Sequence, residues 1–525
     1  MKTLEKLVEH TWFPLYLFVF ALALFSFSSW DTSIFILDEA KNAGCAREML
    51  ENRDWLVPTF NSVLRTDKPP LHYFFMMLSY SVFGVNPFAA RLFSAVFGAL
   101  TILVSFQYIR RFSDLPTAFW TAFVLLSSIH LSIQFHLAVP DPYLVFFFTW
   151  SLLAFFSAFK TGRNRELVFM NVAMACGMLS KGLVAILLPG LIFLLFLIFS
   201  KNFTWKVIRT LKPLWGLAIV LVITFPWFFL NGLQTDWEWT RRFFLKHNLH
   251  RFSDTMEGHG GIFLVPLLYV FVGLLPFAVF LPQAIVYAFK KRKNDFVLFT
   301  LIAATSIVAF FSVSQTKLPN YTVPAYPFLA FLIALFITQK VREFRSLRAS
   351  YFVLLIIGIL LPIGGFVSVE FDSSLLLVKE SFAWLLVFPM LLVFALFFRK
   401  QVQKMLLIVG FSGIVTALIF VGVLAPRLSL QNPVLQSLDL LKDREVAYFE
   451  KFNPAYPFYL KKEIRPVEKE EIEAFFQEYP DGILISTQKR IQQASLGPEY
   501  EIIYEGKDLF ESPTTVLIAL KKVAD

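Results

Sequence analysis

The chain has 525 residues, of which 57% are Ala, Val, Ile, Leu, Met, Phe, Trp, Tyr or Cys, 64 are phenylalanine and only 16% are charged. With its 22 glycines added, the apolar share lies well above the ~45–50% of soluble domains, which excludes a disordered chain, a small disulfide scaffold and an ordinary soluble enzyme. The net charge of +10 is uneven: residues 427–525 hold 13 Lys+Arg against 17 Asp+Glu, and the basic excess sits in short loops between apolar runs, as on a membrane protein's cytoplasmic side and unlike a nucleic-acid surface.

A membrane helix needs ~20 mostly apolar residues. Uncharged runs at 11–30, 92–109, 115–140, 142–159, 167–180, 182–200, 213–235, 261–289, 296–316, 318–339, 349–369, 381–398 and 405–426 predict thirteen spans. The first is too long for a signal-peptide core and no small-residue cleavage site follows it, so it is expected to remain as a span. A further run, 71–90, is interrupted by Gly84-Val85-Asn86-Pro87, a turn signal. The loops at 110–114, 160–166, 201–212, 290–295, 340–348 and 399–404 carry 20 Lys+Arg and share one side with Lys2 and Lys6 only if 71–84 does not cross. The positive-inside rule therefore makes 71–84 interfacial or re-entrant, the N-terminus cytoplasmic and the tail external. The spacing predicts an all-α polytopic membrane domain over 1–426. Residues 427–525 should form a small extracytoplasmic α/β domain with strands near 446–449, 482–485 and 515–518 and a helix over 468–479. Cys45 and Cys176 are not expected to pair.

Two external segments, 31–70 and 236–260, are too long for simple connectors, and such loops are usually functional. The first contains Asp38-Glu39-Ala40-Lys41-Asn42-Ala43-Gly44-Cys45-Ala46-Arg47-Glu48-Met49-Leu50, whose small and apolar positions 40, 43, 46, 49 and 50 predict an amphipathic helix able to lie on the membrane. Asp38 stands where an N-cap would be, or is a carboxylate held at the lipid–water boundary. Thr66-Asp67-Lys68-Pro69-Pro70-Leu71-His72-Tyr73 follows, and its two prolines fix the backbone that carries Lys68, a candidate phosphate contact.

Asp141-Pro142, Ser180-Lys181-Gly182, Arg241 to Phe252 and Gln315-Thr316-Lys317-Leu318-Pro319-Asn320-Tyr321 are expected at the same external level. Lys181 sits at the tip of a helical hairpin, where a charge at membrane depth is a site hypothesis by default. Several cations and two carboxylates at one depth fit an anionic lipid phosphate beside a reacting sugar or hydroxyl. His247 and His250 lack a third ligand for a metal site, although a divalent ion held by carboxylates and phosphate is compatible with the residues. No Walker motif or dinucleotide fingerprint is present. A secondary transporter or lipid flippase would place charges near the bilayer midplane in paired halves, and neither pattern is seen.

These motifs resemble the polytopic C-type (GT-C) glycosyltransferases that draw sugar from a polyprenyl-phosphate carrier, closest to the bacterial lipid A 4-amino-4-deoxy-L-arabinose transferases and the related protein mannosyltransferases. The likeness runs through residues 38–330, in Asp38-Glu39-Ala40, Asp67-Lys68-Pro69-Pro70-Leu71, Asp141-Pro142, Ser180-Lys181-Gly182, His247 to Phe252 and Lys317-Leu318-Pro319-Asn320-Tyr321. It implies a bacterial inner-membrane enzyme, acting as a monomer, with an undecaprenyl-phosphate sugar as donor and lipid A or another envelope glycan or protein as acceptor. It further implies Asp38, with Asp141 and Glu39, as catalytic carboxylates. Lys68, Arg251, Tyr321 and Lys317 would hold the carrier phosphate, and Lys181, His247 and Tyr73 would contact substrate. Where relatives often carry an acidic residue before the histidine of the 236–260 loop, this chain has Lys246-His247-Asn248, a departure that bears on sugar or acceptor identity.

Overall fold

The computed structural model describes residues 8–250, 261–341 and 343–521, and the side chains of 247–250 and 373–374 fall outside that description. Lys2, Lys6, Arg251 and His259 therefore lie outside the described residues, as does the His247 side chain.

The apolar runs become helices because lipid offers backbone polar groups no partner but one another. In chain order these are α1 (Phe13–Ser26), α2 (Leu37–Glu51), a short hairpin of β1 (Thr59–Phe60) and β2 (Val63–Leu64), α3 (Leu71–Phe83), α4 (Pro87–Phe112), α5 (Leu115–Leu126), α6 (Ile129–Phe135), α7 (Asp141–Thr161), α8 (Asn164–Lys181) and α9 (Val184–Phe199). They continue with α10 (Trp205–Leu211), α11 (Pro213–Gln234), α12 (Glu238–Arg242), α13 (Val265–Gly273), α14 (Leu281–Lys290), α15 (Asp295–Val313), α16 (Tyr326–Gln339), α17 (Arg348–Phe371), α18 (Val387–Ala395) and α19 (Val402–Ile419).

Among the described residues, eight helical stretches are long and apolar enough to cross a membrane, or ten if two bent pairs each count as one span. Length alone thus falls short of the thirteen runs in the sequence, for two physical reasons. Runs 115–140 and 261–289 are broken: α5 and α6 meet at 68°, and α13 meets Phe277–Lys290 at 115° across Pro276. The Ser128 hydroxyl joins the two breaks, accepting from Leu131 N (3.1 Å) and donating to Gly273 O (2.6 Å). In addition, α1 and α9 are shorter apolar helices and α8 carries Arg165, Glu166 and Lys181; α3, outside the thirteen runs, is also short. The 13 residues of α3 extend ~20 Å against a ~30 Å hydrocarbon core, a length suited to an interfacial segment.

The tail forms a five-stranded sheet in the order β4 (Arg465–Pro466), β3 (Val446–Tyr448), β5 (Ile483–Thr487), β7 (Thr514–Leu520), β6 (Tyr500–Lys507). β3 runs parallel to β4 and β5, while β7 is antiparallel to β5 and β6. Every residue of β5 is buried, so both faces of the sheet are covered. Leu484, Val516 and Ile518 pack on Ile472, Phe475 and Phe476. Ile483, Ile485 and Leu517 share a core with Ala40, Ala43, Ala46 and Met49 of α2 and Met76 of α3. The apolar face of α2 that its spacing assigns to the membrane surface is thus covered by the tail. Polar bonds reinforce the junction: Asn61 Nδ2 donates to Ile464 O (2.9 Å) and Ile464 N to Asn61 Oδ1 (2.8 Å), while Ile34 N donates to Tyr459 Oη (2.7 Å).

Candidate active site

Helix α2 begins at Leu37, with Ile36 as an N-cap that makes no side-chain cap bond. Asp38 therefore sits in the first turn and is not the cap. There its charge is favoured by the helix dipole, and its carboxylate is left for cations. Lys68 Nζ lies 3.6 Å from one Asp38 oxygen and Arg65 Nη2 3.8 Å from the other. The Asp38 side chain is 49% exposed, whereas those of Lys68 and Arg65 are almost closed off, so the open element of the cluster is the carboxylate. Burial among protein atoms opposes its charge, but Lys68, Arg65, Lys181 and Lys41 outweigh that effect and hold Asp38 well below the usual carboxylate range.

Arg65 is locked from four sides. Its Nε donates to Tyr73 Oη (3.0 Å), and Nη2 donates to Asn42 Oδ1 (2.9 Å) and Asp67 Oδ2 (3.0 Å). Its carbonyl accepts the indole N–H of Trp239 on α12 (2.7 Å). Two more side chains from α11 hold the same loop: Trp227 Nε1 on Trp55 O (3.1 Å) and Asn231 Nδ2 on Leu56 O (2.7 Å). The hairpin between β1 and β2 is capped by Glu48, which accepts from Asn61 N (2.6 Å), Ser62 N (3.2 Å) and Thr59 Oγ1 (2.9 Å). Next to Lys68, His72 is fully buried, and burial with Arg65 and Lys68 nearby pushes its imidazole down to about 3, so the ring is neutral.

A second polar set stands at the start of α7. Asp141 opens that helix in its first turn, followed by Pro142. It is ion-paired with Lys181 and accepts from Asn320 Nδ2 (2.7 Å). Lys181 closes α8, where Gly182 takes φ +92° and returns its N–H to Met178 O (2.9 Å), a cap conformation that glycine adopts without strain. The Lys181 ammonium also lies 5.1 Å from the centre of the Tyr321 ring, within cation–π range. Lys181, the partner of Asp141, is also among the cations that favour the charged form of Asp38.

The structure thus brings Asp38 to Lys68, and Asp141 and Tyr321 to Lys181. Three other candidates take different positions. Glu39 has no exposed surface, and Arg91 holds both its oxygens at 2.7 and 2.8 Å, so it has no face for substrate. Tyr73 is equally buried and spends its hydroxyl on Arg65. Lys317 is buried, with Nζ donating to Ser314 O (2.7 Å). Arg251 and the His247 side chain lie outside the described residues. Among the described residues no three His, Cys, Asp or Glu side chains gather as a metal-binding group. Sequence reasoning missed Arg65, Asn42, Arg91, Asn320 and Trp239. Of these, Arg91 carried a signal, as a charge near the start of a mostly apolar helix whose other charges, Arg110 and Arg111, lie in its last turn.

Residues 67–229 match the family model described as dolichyl-phosphate-mannose-protein mannosyltransferase. A protein of Aquifex aeolicus carrying no functional name is 30% identical over 340 residues, covering 64% of this chain and 76% of its own length. The undecaprenyl phosphate-alpha-4-amino-4-deoxy-L-arabinose arabinosyl transferase 2 of Pseudomonas fluorescens is 30% identical over 361 residues, which is 67% of this chain and 64% of that one. The corresponding transferase of Pseudomonas aeruginosa is 32% identical over 317 residues, or 59% and 56%. The chain therefore spans less than two thirds of the length of these two named transferases. The crystal structure of ArnT from Cupriavidus metallidurans bound to undecaprenyl phosphate superposes with a TM-score of 0.80 at 22% identity, covering 97% of this chain and 98% of that one, a likeness of fold.

Proposed function

We propose that this chain belongs to the GT-C membrane glycosyltransferases of the lipid A aminoarabinose transferase type and moves a sugar from undecaprenyl phosphate to lipid A. The sugar is 4-amino-4-deoxy-L-arabinose or a close relative, and the reaction takes place at the outer face of the bacterial inner membrane. The observation that carries this reading is the half-open Asp38 carboxylate held between Lys68 and Arg65, with the Asp141–Lys181 pair beside it. The basic loops support a cytoplasmic N-terminus and a periplasmic tail.

When the glycosidic bond breaks, its electron pair leaves with the carrier phosphate. Lys181 over Tyr321, the more open of the two ammonium groups, and Lys68 beside Asp38 are the cations placed to meet that growing negative charge. Asp38, kept ionised by its neighbours, either takes the proton of an acceptor hydroxyl or, for an acceptor phosphate already ionised, orients it and stabilises positive charge at the sugar carbon. Asp141, itself buried, holds Lys181 in place and is held in turn by Asn320.

Lipid mass spectrometry of cells with and without the protein tests the assignment. Lipid A species should lose the mass of one or two aminopentoses when the protein is absent. Unchanged lipid A together with loss of sugar from envelope proteins would favour a protein mannosyltransferase, and no change in either would contradict a glycosyl transfer role.

A further inference from the structure

Helix α2 carries two more side chains on the turn that holds Asp38, Glu39 and Asn42, and neither has any solvent exposure. Together they grip both backbone groups of Ala138. Its N–H donates to Glu39 Oε1 (2.9 Å) and its C=O accepts from Asn42 Nδ2 (3.2 Å). Ala138 lies three residues before Asp141, so this grip fixes where α7 starts relative to α2. The other end of the same carboxamide, Asn42 Oδ1, accepts from Arg65 Nη2 at 2.9 Å, the nitrogen that stands 3.8 Å from Asp38.

We infer that Asn42 is a positioning residue for sugar transfer: it registers the Asp141 segment against Asp38 and seats Arg65 beside Asp38. The chemistry of the position calls for an amide. One side faces a carbonyl and needs a donor, the other faces a guanidinium and needs an acceptor, and a carboxamide supplies both from one planar group. Aspartate would keep the acceptor but set a second carboxylate against the Ala138 carbonyl and draw Arg65 away from Asp38. Leucine would leave a buried carbonyl and a buried guanidinium N–H without this partner.

This inference rests on the transferase reading, and its test separates the two. Wild-type protein, N42D and N42L are purified in detergent and assayed with undecaprenyl-phosphate 4-amino-4-deoxy-L-arabinose and lipid A, with thermal midpoints measured alongside. Displacing a reacting group by ~1 Å costs about 100-fold in rate. Accordingly, N42D should lower kcat by about 100-fold, with donor KM within about threefold of wild type, in a protein that still folds with a lowered midpoint. N42L should lose at least as much. Wild-type kcat in N42D would overturn the inference alone. So would failure of both variants to fold, which would make Asn42 a structural residue only. No turnover by the wild-type protein would overturn the transferase reading and this inference with it.

Discussion

Lys68 Nζ stands 3.6 Å from Asp38, and the two residues come from separate segments, the first turn of α2 and the stretch leading into α3. The ammonium keeps the carboxylate charged, and the carboxylate keeps the ammonium at the mouth of the site. Because Asp38 is held below its ordinary pKa, it stays ionised until the pH falls beneath the normal carboxylate range, and its contribution to stability is lost only there. Replacing Lys68 with methionine removes a lowering influence, so the acid limb of the transfer rate should move to higher pH. Donor KM should also rise at least about tenfold, the loss of one charge-assisted phosphate contact. A pH–rate profile of Lys68→Met against wild type checks both effects, and an unmoved limb would separate the two residues.

Asp141 and Lys181 are expected to act as a unit, since each is the other's ion-pair partner and Asn320 joins them at 2.7 Å. Asp141→Asn leaves Lys181 without its counter-charge, and Lys181→Met leaves a carboxylate with little solvent. In a double-mutant cycle on kcat/KM, the double variant should lose no more than the worse single, a coupling of roughly 1 kcal/mol or more. Additive losses would mean independent roles.

Arg91 contributes to stability. All five of its N–H donors reach oxygens: two on Glu39, and the carbonyls of Ser29, Thr32 and Ser33. Removing one partner of a buried pair strands the other charge, at a cost of about 3–5 kcal/mol. Arg91→Ala should therefore lower the thermal midpoint steeply. Glu39→Gln, which keeps the shape, should fold with a smaller loss and retain measurable transfer. Complete loss of kcat in a well-folded Glu39→Gln protein would return Glu39 to the chemistry.

Trp239 ties the segment after α11 to the loop carrying Arg65 and Lys68 through one hydrogen bond to the Arg65 carbonyl. Trp239→Phe keeps the aromatic packing and removes the N–H, a change of about 1 kcal/mol in stability. It should raise donor KM more than it lowers kcat, which steady-state kinetics at saturating acceptor would read directly.

Much of this site was legible in the sequence. Asp38, Lys68, Asp141 and Lys181 each stand near the end of an apolar run, in loops that the charge pattern assigns to one side. Glu39 was misassigned because adjacency in sequence puts it beside Asp38, whereas on a helix the next residue turns ~100° away, here into Arg91. Asn42 could not be read because its role depends on Ala138, 96 positions along the chain. The Ala40, Ala43, Ala46 and Met49 stripe was correctly apolar, but periodicity cannot distinguish a lipid surface from a covering sheet. The strands β3, β5 and β7 were visible as apolar runs. The edge strands β4 and β6, partly exposed and carrying charged residues, gave no such signal.

Sugar transfer through Asp38 can be followed with purified protein in detergent, without a membrane gradient, supplied with undecaprenyl-phosphate 4-amino-4-deoxy-L-arabinose and lipid A. Wild type should release undecaprenyl phosphate and form sugar-bearing lipid A, while Asp38→Asn, folded and with a similar thermal midpoint, should form none. Wild-type turnover by Asp38→Asn would remove Asp38 from the mechanism, and an inert wild-type protein would contradict the transferase function itself.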